Sequence, residues 1–344
     1  MAATMQAAVI SEHGGPEAMN VGPADRPVPG PDEIIVRVGA CGVSHLDIFV
    51  RRGMPGVTIP LPHIAGGDVT GWVEELGADV TDIEPGAAVL IDPTVPEGTL
   101  GEGRAGGLAE YVAVPAANAI PLAGDAPERL VAVAALPIAY GTAQRMLFDR
   151  GRLSAGETVV VLGASGGVGV ACLQLAKRAG ATVIAITSSD AKADRLRALG
   201  ADTAVVAADG KFGKQVWEAT GKQGADMVVD FTGEATWPQS LRCVKPHGRL
   251  VTCGATTGYD AATDLRYVWV REIDIRGSDG WTRDGLLELV GLVEGGELDP
   301  VIHAIYPLSR AGGALEEMEE RRAFGKVVVM PDDVFESFDH PAKR

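Results

Sequence analysis

Two periodicities of apolar residues divide this chain. As far as about Leu122, apolar and polar positions alternate in short runs such as "EIIVRVGA" (33–40) and "GWVEEL" (71–76), cut by turn formers such as "PGPDE" and "EPGAA". A period of two punctuated by Gly and Pro predicts half-buried strands, hence an all-β segment with small helices at most. From about Glu128 the spacing turns helical in "ERLVAVAALPIAYGTAQRML" (128–147), and short apolar runs then alternate with amphipathic stretches. The runs predict strands at "TVVVLG" (158–163), "TVIAIT" (182–187), "TAVVA" (203–207), "DMVVDF" (226–231), "RLVTCG" (249–254) and "DIRGS" (274–278). Unbroken apolar strands separated by helices are the pattern of a doubly wound parallel sheet, because such strands are covered on both faces. The end of the chain returns to mixed character, with "HAIYPL", a charged helix "GGALEEMEERR" and a closing strand "KVVVM". The expected organisation is α/β with two domains, one formed by 1–126 and 300–344 and the other by 127–299, and 344 residues suffice to give each a core.

The first of those strands runs into Gly163-Ala164-Ser165-Gly166-Gly167-Val168-Gly169, which opens a helix pattern. Glycines in that context allow a tight turn and let a pyrophosphate approach the helix N-terminus, so they predict a dinucleotide site rather than a turn that binds nothing. Enzymes that use NAD offer an acidic side chain to the ribose 2′-hydroxyl ~20 residues further on. Here that place holds Thr187-Ser188-Ser189, followed by Lys192. Hydroxyls can donate to a 2′-phosphate and a lysine can neutralise it, so the expected cofactor is NADPH, although Lys192 alone reads as an exposed helix lysine.

Composition narrows the classes. A formal net charge of −16 disfavours nucleic acid and anionic membranes, and reads otherwise as solvated surface charge. Cys41, Cys172, Cys243 and Cys253 show no CxxC spacing and read as buried thiols of a reducing compartment. With no signal-like N-terminus, and no apolar run near the ~18 residues of a membrane span, the expected location is the cytoplasm.

The stretches "CGVSHLDIFVRRG" (41–53), "PHIAGGDVTGWVEELG" (62–77), "LPIAYGTA" (136–143), the glycine motif, "GRLVTCG" (248–254) and "FGKVVVM" (324–330) resemble, in order and nearly end to end, the medium-chain dehydrogenase/reductase superfamily. The resemblance implies a GroES-like β domain beside a Rossmann nucleotide-binding domain. It also frames a choice between zinc alcohol dehydrogenases and zinc-free enzymes like quinone oxidoreductase and zeta-crystallin. Catalytic zinc needs three protein ligands of Cys, His or carboxylate type. In the zinc branch these fall where this chain has Ser44, Gly67 and Ile138, none of them a zinc ligand, and the stretch 92–112 lacks the four cysteines of the structural zinc lobe. Cys41, His45, His63 and Asp68 form a tempting cluster, but Cys41 and His63 lie off the ligand positions; no metal is expected, and Asp47 and Asp68 are expected to organise the floor of the site by hydrogen bonding.

Without a Lewis acid, acceptors already activated toward hydride are favoured, since quinones and α,β-unsaturated carbonyl compounds delocalise the incoming charge. The expectation is an NADPH-dependent reductase of such acceptors. A carbonyl reductase or alcohol dehydrogenase of the same superfamily, and a non-catalytic NADP-binding sensor or crystallin-like protein, stand as alternatives. Candidate hydrogen-bond donors are Ser44, His45 and Tyr140, whereas His247 and His303 read as surface or loop residues. Besides the glycine motif, Ser188, Ser189 and Lys192, the resemblance implies cofactor contacts from Thr142, Cys253, Gly254, Ala255 and Lys326, with Trp281 a possible cleft residue. Three departures from the quinone-reductase pattern are Ser44, where that group tends to have Asn, Phe49, where a hydroxylated aromatic is expected, and Ala207, where a tyrosine is expected near the adenine. A homodimer joined through the last strand of the parallel sheet is also implied.

Overall fold

The computed structural model describes residues 3–344. The chain forms two compact units, Met1–Ile138 with Leu286–Arg344, and Ala139–Gly285. In the first, a seven-stranded sheet runs in the order Ala119–Pro121, Ala88–Ile91, Asp68–Leu76, Glu33–Val43, Lys326–Met330 and Ile302–Pro307, with Tyr111–Pro115 also pairing on Glu33–Val43. A three-stranded sheet of Met19–Asp25, Thr4–Ile10 and His63–Ile64 accompanies it. Alternating side chains of both sheets converge on one core containing Ile10, Ile34, Val36, Val38, Val69, Val89 and Leu108. The closing strand "KVVVM" joins this unit because all five of its residues are buried between antiparallel Glu33–Val43 and parallel Ile302–Pro307.

The second unit holds six parallel strands in the order Thr203–Val206, Thr182–Thr187, Thr158–Val161, Ala225–Val229, Val244–Thr252 and Asp274–Gly277. These are the six strands expected from the apolar runs. Their order reverses at Thr158–Val161, where doubly wound sheets open a crevice at the carboxyl ends of the strands.

The observed boundaries differ from those expected. Helix Pro127–Val133 belongs to the first unit, because Leu130 and Val131 pack into the cluster with Ala40, Val328 and Met330, and the Thr70 hydroxyl donates to the Leu130 carbonyl at 3.0 Å. Likewise Glu294, in helix Arg283–Glu294, accepts the Ala123 N–H at 2.7 Å, which ties residues after 285 to the first unit. The single helix read from 128–147 is not regular either. Two π-helical turns, Leu136–Gly141 and Arg145–Arg150, flank Thr142–Gln144. Pro137 falls inside the first of them, where it has no N–H to give an α-helical carbonyl, and a widened turn accommodates that loss. The helical stretch Pro127–Arg150 is long and apolar enough to cross a membrane by composition, yet 83% of its most apolar window is buried within the protein, as in a core helix.

Candidate active site

In the second unit the glycine motif follows strand Thr158–Val161 and opens helix Gly167–Arg178, with Gly166 at its N-cap. Gly163 has φ +55°, the left-handed region that glycine enters freely. A Cβ on Gly169 would lie 2.3 Å from the Gly163 carbonyl oxygen, so glycine lets the helix seat against the turn, whereas a Cβ on Gly166 would meet only that oxygen, at 3.5 Å. The turn is therefore closed on its inner side and open at the helix N-terminus, where an anion is favoured.

At the end of Thr182–Thr187, Ser188 is exposed and Ser189 is the N-cap of helix Asp190–Ala198, which carries half-buried Lys192. Thr187 itself is 6% exposed and its hydroxyl has no hydrogen-bond partner. A buried unpartnered hydroxyl is costly unless something else satisfies it. Sequence reasoning placed Thr187 in the selectivity segment without marking this hydroxyl, which only burial reveals.

A cleft of about 680 Å³ opens at the carboxyl ends of the last two strands, lined by Thr252, Cys253, Gly254, Ala255, Gly277 and Ser278, among others. Cys253, Gly254 and Ala255 are thus brought together on one wall. Burial pushes the Cys253 thiol up to about 12, so it is a neutral lining group. Thr142 is buried. Tyr140 is 1% exposed, and its hydroxyl donates to Gln174 at 2.6 Å inside this unit. That geometry makes Tyr140 a packing residue of the core, and the sequence could not show it because Gln174 lies a helix away. Trp281 accepts from Arg145 through its carbonyl at 3.2 Å.

The first unit holds a buried polar group at the N-terminus of helix His45–Arg52. Ser44 is the N-cap; its N–H donates to Asp47 Oδ2 at 2.7 Å and its hydroxyl donates to the same oxygen at 3.3 Å. The Gly66 N–H donates to Asp47 Oδ1 at 2.8 Å. Asp68 accepts the Ile138 N–H at 2.7 Å and the Lys326 ammonium at 2.7 Å, and that ammonium also donates to the Val43 carbonyl at 2.9 Å. Burial pushes the Asp47 carboxyl up to about 6. Burial also raises Asp68, opposed by Lys326.

This arrangement bears on several assigned roles. The single hydroxyl proton of Ser44 points to Asp47, which leaves Ser44 an acceptor toward any further partner. Lys326, expected to contact cofactor, has its ammonium committed to Asp68 and Val43, with its side chain 3% exposed. His45 lies at the surface of the helix, its ring tilted against Phe49, and desolvation followed by Lys326, Arg321 and Arg52 holds it below the ordinary imidazole value. Held below the ordinary value, the ring is neutral near pH 7 and keeps one N–H to offer. The tempting cluster does not assemble: His63 Nε2 lies 3.0 Å from the Gly101 carbonyl oxygen, and no group of three or more His, Cys, Asp or Glu side chains among the described residues could hold a metal ion.

The profile of the alcohol dehydrogenase GroES-like domain matches residues 30–124, and that of the zinc-binding dehydrogenases matches 167–294. A 2-haloacrylate reductase from a Burkholderia species is 30% identical, the match covering 95% of this chain and 99% of the relative. A quinone oxidoreductase from Rattus norvegicus is 29% identical over 95% of this chain and 98% of the relative. The chain belongs to the medium-chain dehydrogenase/reductase superfamily, in its quinone oxidoreductase-like branch. A solved NAD-dependent alcohol dehydrogenase superimposes with TM-score 0.88 at 36% identity, covering 95% of this chain and 99% of the other. The 2-octenoyl-CoA carboxylase reductase CinF, solved in complex with NADP and 2-octenoyl-CoA, superimposes with TM-score 0.86 at 28% identity, covering 96% and 88%.

Membership of the medium-chain superfamily gives the observed architecture its description, a GroES-like domain with a Rossmann-type parallel sheet. It also makes the chain an oxidoreductase of a superfamily whose members use nicotinamide dinucleotides, and the open glycine turn and the unpartnered Thr187 hydroxyl fit such a group. At the three positions where the zinc branch of the superfamily places ligands, this member has a hydroxyl already bound to Asp47, a glycine and an aliphatic side chain.

Proposed function

We propose that this protein is a zinc-independent, NADPH-dependent reductase that delivers hydride to a quinone or an α,β-unsaturated carbonyl compound. The observation that carries the proposal is the donor set of the first unit: Ser44, Gly67 and Ile138 offer no three ligands, and the nearby carboxylates of Asp47 and Asp68 are already occupied by Ser44, Gly66, Ile138 and Lys326. A site so built favours an acceptor that accommodates hydride without a Lewis acid.

When bound, NADPH supplies the hydride. The glycine turn receives its pyrophosphate at the N-terminus of Gly167–Arg178. Thr187, Ser188, Ser189 and Lys192 are assigned to the 2′-phosphate, and Cys253, Gly254 and Ala255 to the edge of the nicotinamide. His45 donates to the acceptor's oxygen as charge develops there, and Asp47 fixes the start of His45's helix by holding the Ser44 N–H and hydroxyl. The NADP complex of the carboxylase reductase and the activity named for the 2-haloacrylate reductase support the cofactor and an activated C=C. The alcohol dehydrogenase named among the structural neighbours supports the competing reading, an NAD-dependent oxidation of alcohols.

The active form proposed is a homodimer in a reducing, cytoplasmic compartment. Its support is an apolar surface formed by Leu265, Trp269 and Val270 on helix Leu265–Arg271, with Ile275 exposed on the edge strand Asp274–Gly277, together with four free cysteines.

The deciding experiment follows NADPH and NADH consumption by EDTA-treated protein with a quinone, a 2-alkenal, an enone and a simple ketone. Turnover of the quinone or the unsaturated carbonyls with NADPH supports the proposal. Loss of activity on chelation, or oxidation of simple alcohols with NAD, establishes the dehydrogenase reading, and NADPH binding without turnover of any acceptor points to a sensor.

A further inference from the structure

The cleft of the second unit contains more charge chemistry than a nicotinamide edge requires. Arg145 and Arg150 both line it, together with Cys253, Gly254 and Ala255. They are the first and last residues of a π-helical turn. An α-helical turn would set positions five apart on different faces, whereas the i→i+5 bonding of a π turn brings them to one side, and such turns recur at functional sites. One N–H of each guanidinium is fixed by a backbone carbonyl, Arg145 by Trp281 at 3.2 Å and Arg150 by Gly277 at 2.8 Å. Neither forms an ion pair among the described residues; Arg150 is exposed and Arg145 partly so, which leaves their remaining N–H groups open to a ligand.

Ser278 supplies a second, independent observation. It lines the same cleft, is 8% exposed, and its hydroxyl has no hydrogen-bond partner, while its backbone N–H is held by the Thr252 carbonyl at 2.8 Å. A hydroxyl buried to that degree and left unsatisfied at the wall of an open cleft is a group waiting for a ligand. Asp279 also lines the cleft without pairing to either arginine, so the cleft carries two guanidiniums against one carboxylate. Trp237, Tyr259 and Ala261 add apolar surface to the lining.

We infer that Arg145, Arg150 and Ser278 form an anion subsite in this cleft, which selects hydride acceptors carrying a carboxylate or phosphate group next to the reducible bond. The inference rests on the reductase reading for the identity of the reaction, but the subsite itself takes part in binding only and changes no bond. Guanidinium forks match a carboxylate or phosphate through parallel hydrogen bonds, and the serine hydroxyl completes the shell.

The test compares (E)-5-oxo-3-hexenoate with its methyl ester, in which a methylene separates the carboxyl from the enone, so the two differ chiefly in charge. The native protein is expected to prefer the acid in kcat/KM. Arg145→Gln and Arg150→Gln are each expected to raise KM for the acid about tenfold or more, the loss that one charge-assisted hydrogen bond implies, while the ester is unchanged. Ser278→Ala is expected to act in the same direction with unimpaired folding, since its hydroxyl satisfies nothing in the protein. A second arm titrates succinate and inorganic phosphate, which cannot be reduced, against the native protein and both arginine variants by tryptophan fluorescence, Trp237 lying in the cleft. Arginine-dependent binding of either anion supports the subsite even if neither enone turns over, and the stronger of the two names the source; that outcome rejects the reductase reading alone. Equal use of acid and ester without anion binding overturns the inference, as does a loss of NADPH affinity in the arginine variants with no change in acceptor preference.

Discussion

The ammonium of Lys326 donates to Asp68 Oδ2 at 2.7 Å, with side-chain exposures of 3% and 0%. The pair joins the closing strand of the chain to a strand more than 250 residues earlier and anchors the polar floor of the site. Removing one partner leaves the other charge buried without compensation, which costs about 3–5 kcal/mol. Asp68→Asn and Lys326→Met are each expected to destabilise the protein by about that amount in urea unfolding, and the double variant by less than the sum of the two. Additive losses would show that the two charges are not coupled.

Asp47 gives the site a pH signature. Its folded pKa of about 6 lies above the ordinary 3.8, so between those values the folded state holds a proton the unfolded chain has released. The contribution of Asp47 to stability is therefore full below the unfolded value and declines as pH rises through about 6. Asp47→Asn cannot titrate, so its stability relative to the native protein is expected to improve from pH 4.5 to pH 7.5. Unfolding midpoints at the two pH values, compared between the two proteins, read that difference apart from every other carboxylate; a constant difference refutes the assignment.

The glycine turn separates a structural position from a binding one. Gly169→Ala drives a Cβ to 2.3 Å from the Gly163 carbonyl oxygen and 2.6 Å from the Ala164 Cα, and overpacking of that kind costs about 1–3 kcal/mol. Gly166→Ala meets its one neighbour at 3.5 Å and is expected to melt near the native temperature while binding NADPH far more weakly. Melting curves and cofactor titration on both variants distinguish the positions, and normal NADPH affinity in Gly166→Ala would remove this turn from the cofactor site.

Selectivity for the 2′-phosphate is expected to depend on Thr187 and Lys192. Thr187→Val removes a hydroxyl that satisfies nothing in the folded protein, so the variant is expected to be at least as stable, and to bind NADPH less tightly. Lys192→Glu is expected to weaken NADPH about tenfold or more while changing NADH little, the scale of a hydrogen bond to a charged group. Dissociation constants for both cofactors decide this, and equal losses would exclude a 2′-phosphate contact.

Tyr140→Phe tests a packing role. Gln174 would lose a part-buried 2.6 Å hydrogen bond, at a cost of about 0.5–1.5 kcal/mol, with kcat unchanged. A fall in kcat at unaltered stability would return Tyr140 to the catalytic candidates.

Local pattern alone determined much of this protein. The six apolar runs became the six parallel strands, because a buried strand must be apolar on both faces whatever packs on it. The glycine spacing located a tight strand-to-helix turn, because φ at Gly163 and the contact at Gly169 are demands on the backbone that few residues meet. The absence of zinc-type ligands at positions 44, 67 and 138 was equally plain, since ligand chemistry is a property of residue type. Only the tertiary structure decided what those residues touch. It turned the Ser44 proton toward Asp47, enclosed the Lys326 ammonium with Asp68, and buried Tyr140 against Gln174, each through a partner that no spacing rule identifies. It also produced the π turn whose end residues, Arg145 and Arg150, line one cleft with an unsatisfied Ser278. A hydrogen bond is satisfied or orphaned by where distant segments meet, and that is fixed only when the chain closes on itself.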